Sequence, residues 1–257
     1  MTSLPQEIID EIIDCVAQSA EHLSLLRACS LTSQSFRRRS QSHLFRVLDF
    51  GYPHPQDYSL RVERLHFLLR LLLERPELAA YPRQLILQPS FNRSRWMYEN
   101  KTFHAVLSLL ENLDEVIIKG VGRFGQSSGF WSRQAFVDKF WKPMIQPRLT
   151  TLVLRHIVMA PLELLMFCPQ LTALTLICTT FAQPSNAQFV PLRPNRLKCN
   201  WGSETLHFVA DWKGENGHHL LDFSNLSAFE YTTSAFRPLY PDINSFNNKL
   251  LREAGIL

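Results

Sequence analysis

The chain has 257 residues, 46% hydrophobic and 19% charged, with a formal net charge of +4. This is a globular composition: it excludes a disordered chain and holds enough apolar material for one large domain, or a small domain joined to a larger one. The first fifty residues hold five Lys/Arg and six Asp/Glu, so the positive excess is spread over the remainder, not gathered into the arm or stripe of a nucleic-acid binder.

Residues 1–50 read as three helices. Ile8, Ile9, Ile12, Ile13 and Val16 draw one broad stripe on the first. Ser3 and Gln6 have capping-box spacing, and Pro5 suits a first turn. Leu23, Leu26 and Leu31 form the spine of a second helix. A third runs through 33–45 with Ser33 as its cap and Phe36, Leu44 and Phe45 as its apolar residues. Three short helices bury little, and the doubled-isoleucine stripe is wider than their mutual core needs. Glu7, Asp10, Glu11 and Asp14 interrupt any apolar core of a secretion signal, and no run is long enough to span a membrane. Arg37-Arg38-Arg39, the one dense basic run, reads as a solvated helix face.

Residues 51–59 are proline-rich and read as a linker. A helix over about 60–75 stops before Pro76. From there an L-x-x-L-x-L pattern recurs in six blocks: 81–88, 112–120, 147–157, 168–178, 193–201 and 224–233. Their fourth-position residues are Leu85, Val116, Leu152, Leu174, Leu197 and Phe229. The intervals, roughly 20 to 40 residues, suit leucine-rich repeats with inserted loops or helices. Helical stretches are expected at 101–111, 132–145 and 160–167, and 242–257 reads as an amphipathic helix that covers the last repeat. No single repeat can bury its apolar face. Stacked repeats share a core and form a parallel sheet.

Within each strand the leucines should face that core and the residues between them the open side. The open-side positions are Gln84, Ile86, Gln88; Glu115, Ile117, Lys119; Thr151, Val153, Arg155; Ala173, Thr175, Ile177; Arg196, Lys198, Asn200; and Ala228, Glu230, Thr232. Lys119, Arg155, Thr175, Arg196, Lys198 and Glu230 are the candidate substrate contacts, and the basic ones among them suit an acidic or phosphorylated segment. Trp96, Tyr98, Phe124, Phe130 and Trp131 fall in loop-like stretches, either as interface anchors or tucked under their own loops.

Gly120-Val-Gly122-Arg-Phe-Gly125 follows an apolar run and fits G-x-G-x-x-G. A dinucleotide site also needs its third glycine to open a helix and an acid ending a second strand about twenty residues on. Here Gln126-Ser127-Ser128-Gly129 prolongs the loop, and the nearest downstream acid, Asp138, sits in a helical pattern. The glycines are therefore expected to serve a long loop, with no cofactor. No hydrolase, zinc-protease or phosphate-loop motif occurs. Cys15, Cys29, Cys168, Cys178 and Cys199 are widely spaced among apolar neighbours and read as reduced core residues of an intracellular protein. No metal site is expected, since His218-His219 has no partner at ligand spacing.

Leu4-Pro5-x-Glu7-Ile8-Ile9-x-x-Ile12, followed by "LLRACSLTSQSFRRRSQSHLF" (25–45), resembles an F-box. The layout as a whole is similar to the fungal family of F-box proteins with degenerate leucine-rich repeats, although many F-boxes have Trp where Phe36 stands. The resemblance implies an α/β (α+β) chain: a three-helix F-box over 1–50, a linker over 51–59, and an irregular leucine-rich-repeat-like solenoid over 60–257. It implies no enzyme activity and no cofactor, but a substrate-recognition subunit of an SCF-type cullin-RING ubiquitin ligase in the cytoplasm or nucleus. Its partners would be the ligase's adaptor subunit and a protein substrate, without nucleic acid or membrane. Carried over by position, the adaptor-facing residues are Leu4, Pro5, Ile8, Ile9, Ile12, Leu26, Cys29, Leu31 and Phe36, some of which belong to the helical core. The competing reading is a repeat scaffold for protein interaction with no ubiquitin role, the helices serving only as its cap.

Overall fold

The computed structural model describes residues 4–51, 58–88, 96–120, 134–166, 168–182, 189–200, 208–214 and 217–232. Three helices come first: α1 (Gln6–Ala17), α2 (His22–Thr32) and α3 (Gln34–Leu44). Ser33 caps α3, its hydroxyl accepting from the Phe36 N–H. Pro5, not Ser3, stands at the N-cap of α1, with no side-chain cap bond. Gln6, expected to close a capping box, donates instead to the Asp10 carboxylate and the Ser35 carbonyl. Ser3 lies outside the described residues.

The rest is a mixed α/β arrangement on a seven-stranded, all-parallel sheet. Its strands are β1 (Val47–Phe50), β2 (Gln84–Leu87), β3 (Glu115–Lys119), β4 (Thr151–Arg155), β6 (Ala173–Ile177), β8 (Arg196–Asn200) and β9 (Ala228–Thr232). They neighbour one another in chain order. A two-stranded parallel ribbon, β5 (Ala160–Pro161) with β7 (Phe181–Ala182), lies outside that sheet.

All six repeat blocks become strands of the sheet. The residues aligned by pattern stand in one row of direct cross-strand partners: Leu85, Val116, Leu152, Leu174, Leu197 and Phe229. β1 extends that row with Leu48. The sheet therefore begins at Val47, inside the stretch read as purely helical. Four residues directly after a helix give too little alternation to betray a strand.

Two backbone ladders hold the strands in step. At their entry, one carbonyl accepts two N–H groups from the following strand's segment: Arg46 O from Arg83 and Gln84, Arg83 O from Asp114 and Glu115, and Asp114 O from Thr150 and Thr151. Thr150 O, Thr172 O and Asn195 O continue the series. Hydroxyls reinforce it, with Thr150, Thr172 and Ser227 donating to the preceding carbonyls of Asp114, Thr150 and Asn195. At the exits the N–H of Gly120 donates to Arg155 O, His156 to Ile177 O and Cys178 to Asn200 O. His156 and Cys178 turn there with positive φ.

One sheet face carries the core. Leu85, Leu87, Val116, Ile118, Leu152, Leu154, Leu174, Leu176, Leu197 and Cys199 pack against the segments that return between strands. Those segments supply Leu65 and Leu72 of α4 (Tyr58–Glu74), Phe103 and Val106 of α6 (Lys101–Leu109), and Phe136, Phe140 and Trp141. Phe103 stacks on Phe140 at 5.7 Å and meets Trp96 of α5 (Trp96–Glu99) at 4.8 Å. Of the two readings open for Trp96 and Tyr98, interface anchors or side chains tucked inward, the structure shows the second: both are core residues, on a short helix and not on a loop. Phe103 of α6 packs on Trp96, while Phe124, Phe130 and Trp131 lie outside the described residues. The helix expected over 132–145 runs as Gln134–Phe136 and then a π-helical turn, Val137–Ile145, containing Pro143. Proline removes a backbone donor and clashes with the carbonyl four residues back, which disfavours regular α-helix here. The 160–167 stretch keeps only Glu163–Met166 as helix. The 242–257 helix falls outside the described residues.

Gly120 answers the question its motif raises. A Cβ there would stand 1.9 Å from the His156 carbonyl oxygen. It is glycine because the neighbouring turn's backbone passes against it. The other glycines of the motif lie outside the described residues. Asp138 sits in the π-helical turn, paired with Lys142 at 2.8 Å. Gly120→Ala is expected to lower stability by about 2 kcal/mol, read as a drop in denaturation midpoint at unchanged m-value. Ser40 of α3 is fully buried with its hydroxyl lacking any hydrogen-bond partner. Ser40→Ala is expected to raise stability by about 1 kcal/mol in the same titration, since it removes a buried polar atom that costs and gains nothing.

Candidate functional site

The doubled isoleucines of α1 divide by one residue. Ile9 and Ile13 turn inward and are 6% and 0% exposed, closing a small core with Leu26 of α2. Ile8 and Ile12 turn outward and are each 42% exposed, one helical turn apart. Leu4 precedes them on the same four-residue spacing and is also exposed. On α2, Leu23, Leu25 and Leu31 are exposed, the last at 82%. Of the positions carried over as adaptor-facing, Ile9 and Leu26 are therefore structural: they are sealed within the three helices and offer no surface. Cys29 and Phe36 are half-buried, while Leu4, Pro5, Ile8, Ile12 and Leu31 stand in the open. The pattern showed a stripe that was too wide. Which half of it faced the other helices needed the packing of α2 and α3.

A charged clamp fixes that division. The Arg39 guanidinium donates two bonds of 2.6 Å to the two oxygens of Asp14, joining α3 to α1. His43 lies 2.7 Å from the same carboxylate. The hydrogen bonds from Arg39, opposed in part by desolvation, hold the Asp14 carboxyl at about 2 against an ordinary value of 3.8. A polar cleft of ≈ 760 Å³ opens beside this clamp, between α1, α3 and Tyr81. Arg39 lines it, but its guanidinium is committed to Asp14.

The sheet's second face holds the candidate substrate contacts. Its middle row runs Asp49, Ile86, Ile117, Val153, Thr175, Lys198, Glu230 across neighbouring strands. Ile86, Ile117 and Val153 form their own small apolar cluster and are buried, not open as the alternation alone implied. Side by side on adjacent strands, these β-branched side chains shield one another, with Gln84, Glu115 and Lys119 flanking them along the strands. Lys198 and Glu230, read as separate contacts, form an ion pair with each other at 2.6 Å. Register brings them opposite, and the sequence gives no register at this range. Thr175 is half-buried beside them. Arg196 is exposed in the row at the strands' entry, between Ala173 and Ala228. Lys119 and Arg155 are direct neighbours in the row at the exit. The six candidates thus share a face but do not converge on one point.

Among the described residues no group of three His, Cys, Asp or Glu is placed to hold a metal, and no helix is long and apolar enough to cross a membrane. Burial pushes the Cys168 and Cys199 thiols up to about 12, which makes them packing residues rather than nucleophiles, whereas Cys15, expected in the core with them, is exposed and Cys29 and Cys178 are half-buried. No family model, curated protein or solved structure matches the chain.

Because the folded carboxylate of Asp14 titrates below its unfolded value, its contribution to stability is complete above about pH 4 and is lost as pH falls toward 2. Solvent reaches both partners, so the clamp is worth about 1 kcal/mol. Asp14→Asn is expected to lower the thermal midpoint at pH 7 and to converge with the wild type as melts are carried down to pH 2.

Proposed function

We propose that this chain is the substrate-recognition subunit of an SCF-type cullin-RING ubiquitin ligase. The helices α1–α3 dock on the adaptor subunit, and the repeats present a protein substrate for ubiquitination by other subunits. The observation that carries this reading is the split α1 stripe. Ile9 and Ile13 already close the helical core, so Leu4, Ile8 and Ile12 form a surplus apolar ridge, with Leu31 exposed on the next helix. The segment that resembles an F-box is the one that bears this ridge. The core of the three helices also stands apart from the continuous core under the sheet, as expected of a docking module carried by a larger domain. Strands that stack in chain order with helical returns on one face suit a leucine-rich-repeat solenoid, whose open side would receive the substrate. On this reading the chain performs no chemistry itself and works in the cytoplasm or nucleus.

The test is capture of the purified adaptor by the full chain. The ridge variant Ile8→Asp/Ile12→Asp is expected to abolish capture with little change in melting temperature, because both side chains already face water. Ile8 and Ile12 are each less than half exposed, so covering what remains of one is worth about 1 kcal/mol, and losing two removes a factor of about thirty. Wild-type protein that fails to bind the adaptor, or a ridge variant that binds as well, would leave the scaffold without a ubiquitin role as the better reading.

A further inference from the structure

The ladder at the strand entries ends on an acceptor that has no donor among the described residues. Arg46, Arg83, Asp114, Thr150, Thr172 and Asn195 each offer a carbonyl that takes two N–H groups from the strand that follows. By register the next such carbonyl is that of Ser227, one residue before β9. Among the described residues β9 pairs with β8 alone, at the opposite edge of the sheet from β1. The Ala228 N–H donates to Asn195, so Ala228 and Glu230 direct their backbone groups to β8, and Phe229 and Tyr231 direct theirs outward. The side chains of Phe229 and Tyr231 stand in the two core rows and stay half-buried, whereas their counterparts on the inner strands are all buried. On the open face between them, Glu230 takes Lys198 at 2.6 Å through one oxygen and keeps 60% of its side chain exposed.

An edge of this kind is a template for one more strand. A second copy of this chain does not suit it. Asp49 and Glu230 occupy the same row, so a sheet continued in register by the β1 of a copy would set one carboxylate against the other. Paired antiparallel with its own copy over its full length, β9 would set Glu230 opposite Glu230. Like charges directly opposite destabilise a strand pair. We propose that the outer edge of β9 is a docking edge for an extended segment of a partner protein. The segment adds as a parallel strand and carries a basic residue opposite Glu230, between two apolar residues opposite Phe229 and Tyr231. The N–H groups of its first two residues enter the Ser227 carbonyl, and the N–H of its basic residue meets the carbonyl of Phe229. Its apolar pair closes the two core rows at their end, and its cation continues the alternation of Lys198 and Glu230. The edge lies across the sheet from α1–α3, and its use does not depend on the adaptor.

The test uses the full chain and two labelled synthetic peptides, Thr-Ile-Lys-Val-Thr within neutral flanks and the same sequence with Glu for Lys, read by fluorescence anisotropy. The lysine peptide is expected to bind the wild type about fivefold more tightly than the glutamate peptide, and Glu230→Lys to reverse that order. Glu230→Gln, which sets no like charge beside Lys198, should erase the difference and serves where the reversal variant does not fold. N-methylation of the peptide lysine removes its hydrogen bond to Phe229 and is expected to weaken binding about tenfold. N-methylation of the next residue, whose N–H faces away from β9, should leave binding unchanged. Equal effects of the two methylations, a charge preference that survives Glu230→Gln, or binding of neither peptide overturns the proposal. Amide hydrogen exchange of the chain without peptide separates the other occupants. Phe229 and Tyr231 are expected to exchange fast while Ala228 and Glu230 are protected, and the lysine peptide to slow the first pair. Protection of Phe229 and Tyr231 before peptide is added overturns the proposal: if it rises with protein concentration the occupant is a second copy, and if it does not the occupant is this chain itself.

Discussion

The shared carbonyl at the entry of each strand sets the geometry of this protein. From Arg46 to Asn195, one backbone oxygen receives two N–H groups from the next turn of the chain. A strand bound this way cannot slip by one residue without breaking both bonds, and a slip would turn every leucine to the wrong face. The ladder asks only for backbone atoms, so residues as different as Arg46, Asp114 and Thr172 can occupy it. This lets the return segments vary from the long α4 to the short Glu163–Met166 while the sheet keeps a single register.

Register then decides which surface features exist. It stacks Leu85, Val116, Leu152, Leu174 and Leu197 into a continuous core and places Lys198 against Glu230 on the other side. It also puts two cations side by side at the exit of β3 and β4. The helices α1–α3 follow a different logic, with a separate core of Ile9, Ile13 and Leu26 tightened by the bond between Asp14 and Arg39. The repeats gain stability by adding neighbours. The helical unit has few, and it leaves apolar surface uncovered.

The repeating strands were legible in the sequence because their signal is redundant: the same leucine spacing recurs six times, and the aligned residues fall into one row. Single occurrences were harder to read. β1 has no second copy to be aligned with, and its four residues continue directly from a helical segment. The cap of α1 was misplaced because Gln6 had two better partners, Asp10 and Ser35, supplied by the fold. Periodicity marked the isoleucine stripe but could not divide it, since a hydrophobic pattern measures the width of a face and not what lies across from it. The open face was the least legible part. Whether a lysine there is free or bound depends on a residue some thirty positions away, as Lys198 and Glu230 illustrate.

Each strand of the seven-stranded sheet pairs with one already made, so the structure has a direction in time. A nascent chain leaving the ribosome can lay down β2 on β1, then β3 on β2, without waiting for a distant segment. At every stage the newest strand offers a fresh edge to the next, and a pause in translation would leave that edge open to any passing chain.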